Sequence, residues 1–437
     1  MAERDLAENP VRELLRRFFI TFLLGVVIYR LGVYVPIPGV NADALRDLVK
    51  GAGGGDDAIG AILRYADMFN GGAIANASIF GLGITPYISA SIIFQLLTFS
   101  IPSLKALQKE GEGGRRKINQ YTRYATLGIC LVQATIAAIA LSSYSANGVV
   151  LVPTDNKLLF IVQSVLVITT GSMLILWIAE QITKFGIGNG VSLIIMFGIM
   201  AYLPSAFTGF GTDLGKYLGV ILVGLAIIAA IVVVVQAVRR INLEQQRRVQ
   251  GNKVYGGAQT TLPLKLNQAN VIPVIFASPI MIVIGFAAGK VAGLDQLVAY
   301  GTPGHRYIFG ALIVAFTYFY ISITFDLNDV SNHFKQSGFF VRGIRPGKST
   351  VDYLAGILTR ITFVGAVFLA IIAILPELIG SSIGLSGRGA SVLLGGTGLL
   401  IVVGVTLDVM QKVGAFFLAH QYQGISATGP KKSGKRF

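Results

Sequence analysis

Apolar runs of roughly twenty residues recur along the whole chain, and no other feature restricts its fold as much. With a window of about 19 residues, ten can be read, at roughly 18–35, 76–98, 122–142, 158–179, 187–204, 217–238, 270–289, 307–325, 354–375 and 392–413. A helix rises about 1.5 Å per residue, so about 20 such residues cross a hydrocarbon core of about 30 Å. Only 13% of the 437 residues are charged, roughly half the share of a soluble domain. The 53 glycines suit membrane helices that pack closely through small residues. The predicted fold class is therefore an all-α polytopic membrane protein with ten transmembrane helices. A single cysteine, Cys130, excludes an intramolecular disulfide and a thiolate metal cluster, and its apolar setting reads as an inert buried thiol. Met1-Ala-Glu-Arg-Asp opens a charged amphipathic segment, not a signal peptide.

Loop charge gives the orientation. Cations crowd the segment before span one (Arg4, Arg12, Arg16, Arg17), the 2/3 loop (Lys105, Lys109, Arg115, Arg116, Lys117, Arg123), the 6/7 and 8/9 loops and the tail. The opposite set is sparse. The positive-inside rule then puts both termini in the cytoplasm, as an even number of spans requires. The chain divides into a cytoplasmic segment 1–17, an N-terminal half 18–204, a C-terminal half 205–413 and a basic tail 414–437. An odd number of spans per half would orient the two five-helix halves oppositely, which permits a central pore at their interface.

Met68–Phe99 is the least lipid-like of the apolar stretches. Asn70-Gly71-Gly72 is a breaker cluster, and Gly81, Gly83, Thr85, Pro86, Ser89, Ser91 and Gln95 interrupt the remainder of the stretch. Residues of this kind suit a helix facing other helices or a wet cavity. The pattern predicts a short re-entrant piece that blocks an aqueous path, joined to a span that lines it.

Chemical motifs are few. Pro346-Gly347-Lys348-Ser349-Thr350 imitates the end of a phosphate loop, but Arg342 stands where the first glycine belongs and Pro346 lacks an amide donor. His305, His333 and His420 are dispersed, so no catalytic or metal constellation is predicted. Ionisable residues sit near span ends: Arg30, expected to snorkel outward, then Glu180, Lys184, Asp326, Arg360, Asp408 and Lys412. No carboxylate lies mid-span with a cationic partner, which weighs against an ion-coupled carrier. Branched aliphatics repeat at one-turn spacing in Ile84/Ile88 and Val191/Ile195. Spacing alone does not select these pairs, since lipid-facing or core residues repeat in the same way. The 6/7 and 8/9 loops set cations beside Val254, Tyr255, Phe339, Phe340 and Val341, a composition that suits either topogenic charge or the docking of a large partner.

Six segments, in order, carry a resemblance: GITPYISASIIFQLL, KEGEGGRRKINQYTRY, GIGNGVSLII, LPLKLNQANVIPVIFASPI, FKQSGFFVRGIRPG and GGTGLLIVVGVTLDVMQ. From the first span to the tail the chain resembles the bacterial SecY family, central subunits of the Sec protein-translocation channel. The resemblance implies two inverted five-helix halves around an hourglass pore, a plug near Ile59–Ala75, and a lateral gate of spans two and three against seven and eight. Carried across motif by motif, it implies a pore ring of Ile84, Ile88, Val191, Ile195, Ile275 and Ile401. Gln95 falls on the gate, and Arg247, Arg248, Lys253, Arg345 and Tyr422 on the surface that docks cytoplasmic partners. Those partners would be the ribosome and the ATPase SecA, with SecE and SecG as companion subunits, signal-sequence-bearing polypeptides as cargo and the lipids of the inner cell membrane around them. No cofactor or enzymatic step is implied. There are three departures from the family pattern: Val191 for a frequent Ile, Arg342 for a common Pro, and the pair Asn252-Lys253 for a basic pair. A secondary transporter is the rival class, and it would need a polar site at mid-depth.

Overall fold

The structure is a computed structural model that describes residues 10–50, 67, 69–143, 145–146, 149–150, 152, 156–207, 214–245, 248–250, 253–255, 259–288, 302–382 and 396–427. Each predicted span coincides with a helix. Span one is Pro10–Phe22, a π-helical stretch Leu23–Ile28, and Tyr29–Val33; spans two to five are Thr85–Ser100, Glu112–Ser143, Lys157–Phe185 and Gly190–Phe207. Spans six to ten are Leu214–Gln236, Ile272–Ala288, Pro303–Thr324, Lys348–Ser382 and Gly396–Ala427. Among the described residues, five helices are long and apolar enough to cross a membrane, and a sixth candidate is Thr85–Ser100 taken with Pro102–Lys109, bent by 99°. The bend falls where Ile101 leaves helical geometry ahead of Pro102.

Several helices overrun their apolar windows. Span nine has 35 residues, about 52 Å at the usual rise, and its first turns carry Lys348, Asp352 and Arg360. Charged ends do not stop a helix; they carry it out of the hydrocarbon.

Span two starts late. The apolar window opens at residue 76, yet residues 70–84 are turns and the helix begins at Thr85, with Pro86 in its first turn. Pro86 is suited to a helix start, and Gly83 (φ +56°) holds a left-handed conformation just before it. Of the re-entrant piece expected from the sequence, residues 70–84 are thus a run of turns.

These turns hang on span one. Ile37 N donates to Ala77 O at 2.7 Å, Ile79 N to Val35 O at 3.0 Å, and the Ser78 hydroxyl to Gly32 O at 2.9 Å. Phe80 stacks on Tyr29 with ring centroids 6.0 Å apart. On the other side span four runs so close that a Cβ on Gly171 would strike the Ile79 carbonyl.

One hydrophobic cluster joins both halves. It contains Tyr29, Phe80, Ile175 and Leu193 from the first half, and Val274, Ile313, Leu369 and Leu400 from the second. Span five meets span ten, and span two meets spans seven and eight. Two buried threonines keep their hydroxyls inside their own helices: Thr126 donates to Thr122 O and Thr317 to Ile313 O, each at 2.7 Å. Cys130 is free and wholly buried.

The all-α expectation misses the β structure of the loops. Two short strands, β1 (Ser145–Ala146) and β2 (Val149–Val150), form a hairpin between spans three and four. The 6/7 loop contributes β3 (Val238–Gln245), β4 (Arg248–Gln250), β5 (Lys253–Tyr255) and β6 (Gln259–Lys265), and the 8/9 loop β7 (Phe339–Val341). The order β6–β3–β7, all antiparallel, ties these two loops into one sheet. Ile241 and Leu243 point inward, alternating with the exposed Arg240 and Asn242.

The close pass at Gly171 is directly testable. Gly171→Ala is expected to lower stability by about 1–3 kcal/mol through overpacking. Gly128→Ala in span three, with no heavy atom within 4 Å of the new carbon, is expected to raise it by up to about 1 kcal/mol through helix propensity. Thermal unfolding midpoints of the two purified variants in detergent, shifted in opposite directions, would show it.

Candidate pore and docking site

The six positions expected to form a ring come from four spans. Ile84 caps span two, and Ile88 lies one turn on, its amide bonded to the Ile84 carbonyl at 3.1 Å. Val191 and Ile195 come after a bend at which Gly188 has φ +91°. There the Asn189 side chain accepts from Val191 N at 3.1 Å, and Gly190 N donates to the Thr183 hydroxyl at 2.8 Å. This bend sets the start of span five. Ile275 lies in the first turn of span seven, and Ile401 near the start of span ten.

All six belong to or pack on the cluster that joins the halves. Ile84, Ile195 and Ile401 are buried within it, at 6%, 5% and 0% exposure, while Ile88, Val191 and Ile275 are partly buried against it. Branched aliphatics at these positions offer no polar side-chain atom to a hydrated ion. Among the described residues, the ion pairs of Arg123 with Glu180 and of Lys412 with Asp408 at 2.7 Å fall near the ends of the apolar runs, although the helices continue beyond them. Also among the described residues, no group of three or more His, Cys, Asp or Glu comes together to hold a metal ion.

Gln95 is exposed on span two, and its amide donates to the Ser91 hydroxyl at 3.4 Å. Of the expected plug, 59–66 and Met68 lie outside the described residues. Its described part, Asp67 and 69–75, leads into the turns beside span one.

Four of the five residues expected at a docking surface fall on the β4–β5 pair, the turn after β7 and the last helix. Arg247 lies outside the described residues. Arg248 is on β4 opposite Tyr255, and Lys253 on β5 opposite Gln250; Tyr422 is on the last helix. Arg345 is exposed in the turn after β7, where its carbonyl accepts from the Thr350 hydroxyl at 2.9 Å. The turn is set by Gly343 (φ +79°) and Gly347 (φ +112°). Ser331, on the preceding helix Leu327–Ser337, donates to Gly347 O at 3.2 Å, and Asp326 caps that helix at Asn328 N.

Behind this surface, Ile241, Leu243, Leu264 and Val341 pack on Leu354, Ile357 and Ile361 of span nine. Arg345 is therefore carried on a packed base rather than a free loop. Arg342 lies 3.7 Å from Glu244 of β3, an exposed pair of little energetic weight. The alternation in Ile241-Asn242-Leu243 and Leu262-Pro263-Leu264 is the sequence signal for this base.

Leu243 faces Val341 across the sheet. Leu243→Asp would leave an uncompensated buried charge, at a cost of about 3–5 kcal/mol. Faster hydrogen exchange at the Phe339–Val341 amides is the expected outcome, with the transmembrane amides unchanged.

The SecY family model matches residues 78–410. The chain is 41% identical to the protein translocase subunit SecY of Thermotoga maritima over 98% of both chains. It is 39% identical to that of Pseudomonas aeruginosa over 96% of this chain and 95% of the other. Among solved structures it resembles a protein-conducting channel with a TM-score of 0.62 at 18% identity, over 94% of each chain. Sec61 in a canine ribosome–channel complex gives a TM-score of 0.58 at 16% identity, again over 94% of each chain.

Proposed function

The chain belongs to the SecY family, and from that premise we propose that its six-residue apolar ring is the constriction through which an unfolded polypeptide is threaded. As a family member it is a protein-translocation channel and a multi-pass membrane protein, not an enzyme. The observation that carries the ring assignment is the burial of Ile84, Ile195 and Ile401 in one cluster with Ile88, Val191 and Ile275 against it.

Side-chain chemistry accounts for such a constriction. A channel for many sequences must hold no fixed polar site that would favour one of them. A narrow aliphatic collar dewets, so ions meet a barrier, while rotamer changes let the same side chains close around a moving chain. The plug closes the idle channel from the external side. Parting of span two from spans seven and eight opens a path on which Gln95 lies, and a sufficiently apolar segment leaves through it into lipid, driven by the transfer free energy that hydropathy measures.

The push comes from outside the chain. Both termini and the sheet of the 6/7 and 8/9 loops face the cytoplasm of the inner membrane, where Arg247, Arg248, Lys253, Arg345 and Tyr422 meet SecA or the ribosome. SecE and SecG complete the complex. The support is loop charge, the exposure of Arg345 and the packed base beneath it.

Ile401→Asn and Ile275→Asn are expected to raise the resting ion leak and to pass precursors with defective signal sequences, because an amide side chain wets the collar. Reconstituted vesicles read the leak; an unchanged leak and unchanged stringency in both variants would remove these residues from the ring. Arg345→Glu is expected to reduce SecA-driven export by about tenfold or more, as reversal of a docking charge does, with membrane insertion of the protein unaltered. Export at the parent rate would take Arg345 off the docking surface.

A further inference from the structure

Span one makes two consecutive hydrogen bonds to the turn at the end of the plug. The Tyr29 hydroxyl donates to Asn70 O at 3.1 Å, and Arg30 Nη1 donates to Gly71 O at 2.6 Å. Arg30 is itself steadied by Tyr34, whose hydroxyl accepts from Nη2 at 3.1 Å and whose ring lies under the guanidinium at 5.1 Å. Hydropathy alone sends Arg30 outward; the carbonyl freed by the turn at Gly71 (φ +65°) gives its guanidinium an acceptor inside the protein instead.

The receiving turn is compact. Buried Asp67 accepts from Ile74 N at 2.7 Å and Ala75 N at 3.0 Å, and its carbonyl accepts from Asn70 N and Gly72 N. Asn70 Nδ2 donates to Gly81 O at 2.9 Å. Span five backs the turn: a Cβ on Gly71 would come within 3.1 Å of Gly198 Cα, and one on Gly198 within 2.7 Å of Phe69 O. The turn is braced by its own hydrogen bonds and lies between spans one and five.

The π-helical stretch Leu23–Ile28 ends directly before the two donors. Each residue inserted into a helix advances its face by about 100°, so this stretch sets which way Tyr29 and Arg30 point. π-Turns of this kind recur at functional sites.

We propose that Tyr29 and Arg30 are positioning residues that clip the plug stem to span one and thereby set how readily the closed channel opens. The inference rests on the channel function and adds a specific closure element to it. Moving the stem breaks a charge-assisted hydrogen bond and a neutral one, and leaves the Gly71 carbonyl without its cationic donor. Loss of the charged bond is worth about tenfold or more in the opening equilibrium.

The test uses the full-length chain, purified with the subunits that accompany it and reconstituted in vesicles. Arg30→Gln and Tyr29→Phe are compared with Arg30→Lys and with Leu31→Ala, a neighbour on the exposed face. The expected result is a resting ion leak about tenfold higher in Arg30→Gln, with transport of a defective-signal precursor. Tyr29→Phe moves less, Arg30→Lys is partly restored, and Leu31→Ala behaves as the parent. Hydrogen exchange at the Gly71–Ala75 amides reads the contact independently of transport and is expected to quicken in Arg30→Gln and Tyr29→Phe. Parent-like leak and exchange in both of these variants would overturn the clip. A parent that moves no precursor at all would overturn the channel reading, and the role in opening with it, while the exchange data would still decide whether the contact exists.

Discussion

Backbone that leaves helical geometry inside a membrane protein has no water to satisfy it, and its amides and carbonyls must find partners in the protein. Residues 70–84 face that constraint over fifteen consecutive positions. Their bonds run to Gly32 and Val35 at the end of span one, to Ile37 beyond it, to the Asp67 carboxylate, and to Tyr29 and Arg30. Because this non-helical stretch is satisfied, span two can begin late, and Ile84 sits at its first turn in the cluster between the halves. A continuous helix from residue 76 would place Ile84 mid-helix.

The collar and the turns use opposite chemistry for one end. The turns are polar, bonded and specific, which suits a single arrangement. The proposed collar is apolar and unspecific, which suits closure around many sequences. A polar ring would hold ions and bind some sequences better than others. An apolar plug stem without its hydrogen bonds would have no fixed seat.

Much of the architecture is legible in the sequence because hydropathy and loop charge act locally. The apolar spans and the breaker at Asn70-Gly71-Gly72 can be read residue by residue, whereas the start of span two cannot, since its apolar window opens at residue 76 and its helix at Thr85. The helix ends cannot be, since charged turns such as those at Lys348 continue a helix beyond the hydrocarbon. The sheet of the 6/7 and 8/9 loops is partly visible in the alternation of Ile241 and Leu243, but its third strand pairs Val341 with Leu243, far apart in the chain. The ring is a tertiary property: one-turn spacing fits Ile84/Ile88 and many lipid-facing pairs alike, so only the family resemblance singles these six out. Arg30 escapes a local reading for the same reason. Its acceptor exists only because a turn 41 residues away frees a carbonyl beside it.

The central claim is that aliphatic side chains from four spans meet and enclose a passing polypeptide. A photo-crosslinking residue placed in turn at Ile88, Ile275 and Ile401, with a secretory chain stalled in transit, tests this most directly. Ile136 on span three, 63% exposed, serves as the lipid-facing reference. The account predicts adducts to the stalled chain from all three ring positions and lipid adducts alone from Ile136. Adducts to the chain from Ile136 with none from the ring would contradict it.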